Sequence, residues 1–379
     1  MKRRCFQEAA WAAISILAVG LLTGCVYEKV KLTEKPAGVR FGLVADSHYA
    51  DVDPVSTRPF RESLPKMKEC VEVMNRERLD FLIELGDFKD RDRVPNETKT
   101  LSYLRRIESV FGQFQGPRYH VLGNHDMDNI SKTQFLNAVE NTGIPKKRSF
   151  YRFDERGLRF LVLDANFDSG GKPYDHGRFD WADCNMPRRE IRWLKSELAA
   201  SPKPVIIFIH QQLDGEGDYY VKNAAAVRGI LETSGKVLAV FQGHRHEGAY
   251  SRMGGIHYYT LKGMVEGSGP ENNSYAVVEV DPNCDISVTG FRKADSLKLL
   301  GTHHIISHAR SSCDVAINLV IASHRRWRGD LQNKNLLWRS PRRFAPRDDQ
   351  ETRSLRFARD DNEIIFNAFV LIKDDRSES

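Results

Sequence analysis

Between Val39 and Phe291, short apolar runs alternate with stretches in which apolar side chains recur every third or fourth residue. Val39–Ala45, Leu79–Leu85, Arg118–Leu122, Val205–Ile209 and Val237–Phe241 read as strands, the first a short apolar run and the fourth a buried strand. Leu64, Met67, Val71 and Met74 trace one helical face within Arg61–Arg78. Leu101, Leu104, Ile107, Phe111 and Phe114 do the same within Thr98–Phe114. Ser131 followed by Gln134 has the form of a capping box and predicts a helix to about Thr142. Glu190–Ala200 and Val221–Thr233 predict two more helices, the second stopped near Gly235. Phe150–Phe153 and Leu158–Leu163 flank Glu155-Arg156-Gly157, a hairpin signal. Ile256–Leu261, Tyr275–Val280 and Ile286–Phe291 close the series as strands. The pattern predicts an α/β domain over roughly residues 39–295, with no internal repeat. A two-sheet β-sandwich flanked by helices fits it.

The first residues follow a different pattern. Lys2-Arg3-Arg4 precedes an apolar stretch from Ala9 to Leu22. That stretch is short for a bilayer span and has the length of a secretory signal core. It ends Leu22-Thr23-Gly24-Cys25, which resembles the lipobox of bacterial lipoproteins. The resemblance implies cleavage of residues 1–24, acylation of Cys25 and a polar tether over 25–38. The expected location is the bacterial cell envelope, on the periplasmic or outer-surface side, with the membrane engaged through the lipid. Export would put Cys70, Cys184, Cys284 and Cys313 in an oxidising compartment, with their pairing left open.

Composition narrows the function classes. The 379 residues are 41% hydrophobic, which excludes a wholly disordered chain, and the one long apolar run excludes a polytopic membrane protein. The net charge of +6 is uneven: residues 1–24 carry +2 and residues 301–379 carry +3. A body at about +1 lacks the clustered basic face that nucleic-acid binding needs, so no nucleic-acid partner is expected. Residues 296–379 read as a basic, poorly ordered extension, with His303, His304 and His308 and two short apolar runs, Val315–Ala322 and Ile364–Ile372.

Candidate chemistry sits at the carboxyl ends of five expected strands. In order these are Asp46-Ser47-His48, Gly86-Asp87, Gly123-Asn124-His125-Asp126, His210 and Gly243-His244-Arg245-His246. Strand ends of this kind open into a shared crevice. Read as extended segments, Asp46 and His48 point the same way and can reach one ion, and His244 and His246 repeat the arrangement. Carboxylate, imidazole and amide donors without thiolates suit manganese, iron or zinc.

The ordered set resembles the calcineurin-like metallophosphoesterase superfamily, whose pattern is D-x-H, GD, GNH[DE], H, GHxH, over about 250 residues of this chain. The resemblance implies a helix-flanked β-sandwich with a two-metal site. It implies Asp46, His48, Asp87 and His246 around one ion, and Asp87, Asn124, His210 and His244 around the other. His125 would face the substrate, oriented by Asp126. The implied reaction is hydrolysis of a phosphoester by a hydroxide that two cations activate. Arg245 either reaches a phosphate oxygen or faces solvent.

Arg189–Leu198, Pro204–Gln212 and Gly254–Gly269 are similar to the branch of manganese-dependent ADP-ribose and CDP-alcohol diphosphatases, and to cyclic-nucleotide phosphodiesterases. His48 keeps the general family pattern where the diphosphatases carry glutamine. Phe167, Tyr174, Phe179 and Trp181 within Asn166–Pro187 suggest a substrate cap with base-stacking aromatics. The expected substrate is a small phosphodiester or nucleoside diphosphate derivative. A phosphomonoesterase on the same site, or a silent binding lipoprotein, stays open.

Overall fold

The computed structural model describes residues 37–299, 353–355 and 368–370. The expected signal, Cys25, most of the tether, Cys313 and the histidine cluster lie outside the described residues. These fall in two units divided after Ser311. In the second, strands Arg353–Leu355 and Ala368–Val370 pair antiparallel.

The first unit holds two six-stranded sheets. One runs β12-β11-β10-β1-β2-β3, where β1 is Val39–Val44, β2 Phe81–Glu84, β3 Arg118–His120, β10 Ser274–Val280, β11 Ile286–Arg292 and β12 Leu297–Leu299. The other runs β4-β5-β6-β7-β9-β8, where β4 is Tyr151–Glu155, β5 Leu158–Val162, β6 Val205–Phe208, β7 Val237–Gln242, β8 Ala249–Met253 and β9 Ile256–Thr260. Pairing is parallel along β1, β2 and β3 and along β5, β6, β7 and β9. The remaining strands are antiparallel additions.

Period-two geometry sorts each central strand. Phe41, Phe81, Phe160, Phe208 and Phe241 belong to the inter-sheet cluster, whereas Leu82, Leu161 and Ile207 belong to the other. The Phe41 ring stacks on Phe81 at 4.9 Å and meets Phe160, Phe208 and Phe241 edge-on at 5.7 Å each. These quadrupole-favoured contacts lock one sheet over the other. Helices α1 (Ser63–Arg76), α2 (Glu97–Phe111), α3 (Lys132–Ala138), α4 (Arg188–Ala200) and α5 (Ala224–Ser234) bury their apolar faces in the second cluster. The Ser131–Gln134 capping box forms, but α3 stops at Ala138 rather than Thr142.

Two strands escape the sequence pattern. β8 is an edge strand whose residues alternate between half-buried and exposed, so it carries no apolar run. β12 carries the sheet past residue 295: Leu297 pairs with Val288, and Leu299 is buried between the sheets. Cys70, Cys184 and Cys284 are free thiols, the first two buried. No helix of the described residues is long and apolar enough to cross a membrane.

Candidate metal centre

All five motifs follow a strand directly: β1, β2, β3, β6 and β7 deliver them to one end of the sandwich. Parallel neighbours carry their carboxyl ends in the same direction, which is why segments two hundred residues apart converge. The loops are then stitched together. Asp46 N–H donates to the Gly86 carbonyl at 3.0 Å, His48 N–H to the Asp87 carbonyl at 2.8 Å, and Gly243 N–H to the His210 carbonyl at 3.0 Å.

Two clusters of donor atoms lie side by side, one of Asp46, His48 and His246 and the other of Asp87, His210 and His244, and a third, of His48, Asp90 and His125, shares His48 with the first. Asp87 joins the first two. Its Oδ2 lies 3.4 Å from His48 Nε2 and 3.2 Å from His210 Nε2, while Oδ1 accepts from the His125 backbone N–H at 2.7 Å. In the first cluster His246 Nε2 is 3.4 Å from Asp46 Oδ1 and 3.2 Å from His48 Nε2. So the histidines of Gly243–His246 divide between the clusters and do not act as a pair.

The expected extended geometry is absent. Asp46, His48, Asp87 and His244 adopt φ of 53°, 46°, 58° and 67°. Such left-handed backbone in non-glycine residues is uncommon and gathers at functional sites, where surrounding structure holds it. Sharp turns, rather than period-two alternation, aim these side chains. Gly86, at φ 101°, is needed on both counts: a Cβ there would lie 2.5 Å from His210 Nδ1.

Each of three imidazoles turns one nitrogen inward and anchors the other. His48 Nδ1 meets Asp90 Oδ2 at 3.0 Å, His246 Nδ1 meets Glu266 Oε1 at 2.6 Å, and His210 Nδ1 meets the Leu85 carbonyl at 2.9 Å. Partners of this type fix tautomer and orientation in metal sites. The test of fit comes from what is left over. His210 Nε2, His244 Nε2 and Asn124 Oδ1 are buried without a hydrogen-bond partner, His210 being near Asp87 but not aligned with it. Unsatisfied buried polar atoms are costly; those of His210 and His244 share a cluster with Asp87, and imidazole, amide and carboxylate together match the donor set of divalent cations.

The carboxylates of the centre favour positive charge on His210, while burial keeps His244 neutral. Burial pushes His244 down to about 3, helped by the neighbouring His210, so it offers a lone pair. Burial works against protonation of His210 too, but Asp87 and Asp46 outweigh it and raise it to about 9. Asp87 resists burial through His210, His125 and His48 and is held well below the usual carboxylate range.

Asp126 does not orient His125. Its Oδ2 accepts from the Gly123 and Asp87 amides at 2.8 and 3.0 Å, and its Oδ1 from Phe88 at 3.0 Å. It therefore staples one ligand loop to the next, and burial with the nearby Asp87 raises it to about 6. The orienting carboxylate is Asp128, whose Oδ2 lies 2.7 Å from His125 Nδ1. Buried Lys89 braces that turn through the carbonyls of His125 and Asp128. Desolvation of His125 is overcome by Asp90, Asp87 and Asp128, which raise it to about 10. Sequence reading missed Asp90, Asp128, Lys89 and Glu266. Arg245 takes the solvent-facing option, near Glu247 at 3.7 Å.

The cap reading divides. Phe167 and Tyr174 are buried, and Phe179 stacks on Tyr174 at 4.2 Å, forming the segment's own small core. Trp181 alone reaches the centre, its ring 5.7 Å from that of His244.

Comparison with known proteins follows the same lines. The family model for calcineurin-like phosphoesterases matches residues 39–248. A rice (Oryza sativa subsp. japonica) protein named manganese-dependent ADP-ribose/CDP-alcohol diphosphatase is 26% identical over 300 residues, covering 68% of this chain and 92% of its own. A Bos taurus protein of the same name is 25% identical, covering 64% and 88%. A dimetal phosphatase from Danio rerio superposes with a TM-score of 0.60 at 20% identity, over 70% of this chain and all of its own, and shares the fold. The motifs, the paired sheets and the unsatisfied donors thus have one common explanation: this chain belongs to the calcineurin-like phosphoesterase family and is a metal-dependent hydrolase of phosphoester bonds that uses two divalent ions.

Proposed function

We propose that the chain cleaves a phosphodiester or a nucleoside diphosphate derivative. The observation that carries this reading is a cavity of about 1210 Å³ beside the metal centre, with His125 and His246 in its wall and Arg58, Arg91, Arg93 and Lys293 around it. A diester or diphosphate carries a group on both sides of the bond to be broken, and a cavity of this size, with Arg58, Arg91, Arg93 and Lys293 set among Asp90, Asp92, Glu247 and Glu266, has room for the second phosphate and its alcohol. Arg91 is exposed there, and its guanidinium makes no ion pair among the described residues. The names of the diphosphatase relatives support the same choice.

In this reading Asp46, His48, Asp87 and His246 hold one cation, and Asp87, Asn124, His210 and His244 hold the other. Divalent ions placed so supply water of lowered pKa and offset phosphate charge. The chain's own part is orientation and proton handling. Asp87 sets the spacing of the two ligand groups, and Asp90, Glu266 and Leu85 keep the imidazoles aimed. His125 stands half-exposed with Nδ1 on Asp128, which leaves Nε2 for the substrate, where it can protonate the leaving oxygen.

The test is turnover of ADP-ribose, a CDP-alcohol, bis-p-nitrophenyl phosphate and p-nitrophenyl phosphate with manganese. Higher kcat/KM for the diphosphates and diester is expected. A clear preference for the monoester would overturn the reading. The lipobox-like Leu22–Cys25 supports a location outside the cytoplasm, lipid-anchored to the envelope. Cys25→Ser should then move the protein from the membrane to the soluble fraction, and an unchanged distribution would refute the anchor.

A further inference from the structure

We propose that Trp181 and Tyr219 form a stacking platform for the nucleobase of the substrate and so set specificity at this centre. The inference rests on the diphosphatase reading and names the half of the substrate that the metal centre and the charged cavity beside it do not explain.

Trp181 comes from the loop between β5 and α4, and Tyr219 from the loop between β6 and α5. Their ring centroids lie 5.5 Å apart, tilted by 53°, so neither ring covers the face of the other. Both converge on one metal-ligating imidazole: Trp181 is 5.7 Å and Tyr219 5.5 Å from the His244 ring. His244 Nε2 is itself one of the buried, unpartnered atoms of the centre.

The exposure of the pair is what needs explaining. Trp181 is 41% and Tyr219 42% exposed, in a loop region whose other aromatics are packed away. The third exposed aromatic of the described residues, Tyr250, donates to or accepts from His257 and lies against that ring instead. Large rings left in water beside a phosphate-binding centre have apolar area to give to a ligand, and planar bases offer the matching surface.

The two sides of the centre also differ in chemistry. The cavity beside His125 and His246 is lined by arginine, lysine, aspartate and glutamate side chains. Neither Trp181 nor Tyr219 lines it. A base on the His244 side and a phosphate-linked alcohol on the His125 side would place the bond to be broken between them. Stacking reads ring area rather than base edges, so adenine and cytosine derivatives should both be accepted.

The test compares kcat/KM for ADP-ribose and for the diphosphate of two riboses, which differs only in lacking the base. Wild-type protein with manganese should prefer ADP-ribose. The ratio should fall by about 5–150-fold in a Trp181→Ala, Tyr219→Ala double variant, the range measured for single base–aromatic stacks. Trp181→Phe should keep most of it. Because the readout is a ratio within one preparation, loss of folded protein cancels. No preference in the wild type, or a ratio retained by the double variant, would overturn the platform while hydrolysis of the abasic compound continues to support the diphosphatase reading. Hydrolysis of neither compound would remove both.

Discussion

The Asp128 carboxylate lies 2.7 Å from Nδ1 of His125, three residues before it in the chain. A proton on Nδ1 donates to that carboxylate, which fixes the tautomer and leaves Nε2 for the substrate. Replacing His125 by alanine should lower kcat by ~10²–10⁴-fold, the usual contribution of a positioned proton donor. Asp128→Ala should cost less, ~10–10²-fold, and the double variant should be little worse than His125→Ala alone, because Asp128 acts through the ring. Steady-state kinetics with bis-p-nitrophenyl phosphate decides this; multiplicative losses would show that Asp128 has another role. Asp126→Asn should instead register as lost stability, since one amide oxygen cannot replace a carboxylate that serves four backbone N–H groups.

Asp87 holds the two donor clusters together, so its removal should disable both. Manganese that binds the folded chain at about 100 times its dissociation constant adds ~2.7 kcal/mol of stability. For a domain of this size that is a rise in melting temperature of roughly 5–11 °C, reversed by a chelator. Asp87→Ala should abolish both the manganese-dependent rise and turnover. Differential scanning calorimetry with and without manganese checks it, and an undiminished rise in the variant would place the ions elsewhere.

Two glycines give opposite predictions from their surroundings. A Cβ on Gly123 would overlap the amide nitrogen and carboxylate of Asp87. Gly123→Ala must therefore displace Asp87, the carboxylate between the two donor clusters, and a shift of ~1 Å in such a group should cost on the order of 10²-fold in rate. Gly229 sits in α5, where a Cβ would have no neighbour within 4 Å. Gly229→Ala should raise stability by ~0.8–1.0 kcal/mol at unchanged turnover, the helix-propensity difference alone. Urea melts and initial rates on both variants test the pair, and equal effects would contradict it.

The candidate metal ligands were legible because each is a polar residue closing a strand, a placement with a physical consequence in any α/β sandwich. Their aim was not legible. Asp46 and His48 look like an alternating pair, but their left-handed turns cannot be read from spacing. Asp90 and Asp128 each stand three residues after a motif residue, a signal present in the sequence but without direction, since irregular loops have no period. Glu266 reaches His246 from a loop twenty residues on, a contact that only the completed fold creates. β8 and β12 were missed for a related reason: edge strands face solvent and need no continuous apolar run.

Glu190 gives a prediction about stability and pH away from the metal centre. Its side chain is fully buried, Oε1 accepts from the Asp164 N–H at 2.8 Å, and Oε2 has no partner. Burial, reinforced by the charge of Asp164, raises its pKa well above the usual range. The sign follows from linkage. The unfolded chain loses this proton near pH 4.5 while the folded chain retains it, so the contribution of Glu190 to stability is complete below that pH and is lost as pH rises toward the folded value. Glu190→Gln keeps the shape and the Oε1 acceptor but cannot ionise. It should match the wild type near pH 4 and exceed it at pH 8 by about 1 kcal/mol or more, a rise of ~2–4 °C in melting temperature. Melting curves of both proteins from pH 4 to pH 8 measure the difference directly. A gap that is constant with pH, or that narrows as pH rises, would mean that Glu190 is ionised in the fold and is compensated by Lys132, whose Nζ lies 2.5 Å from Asp164.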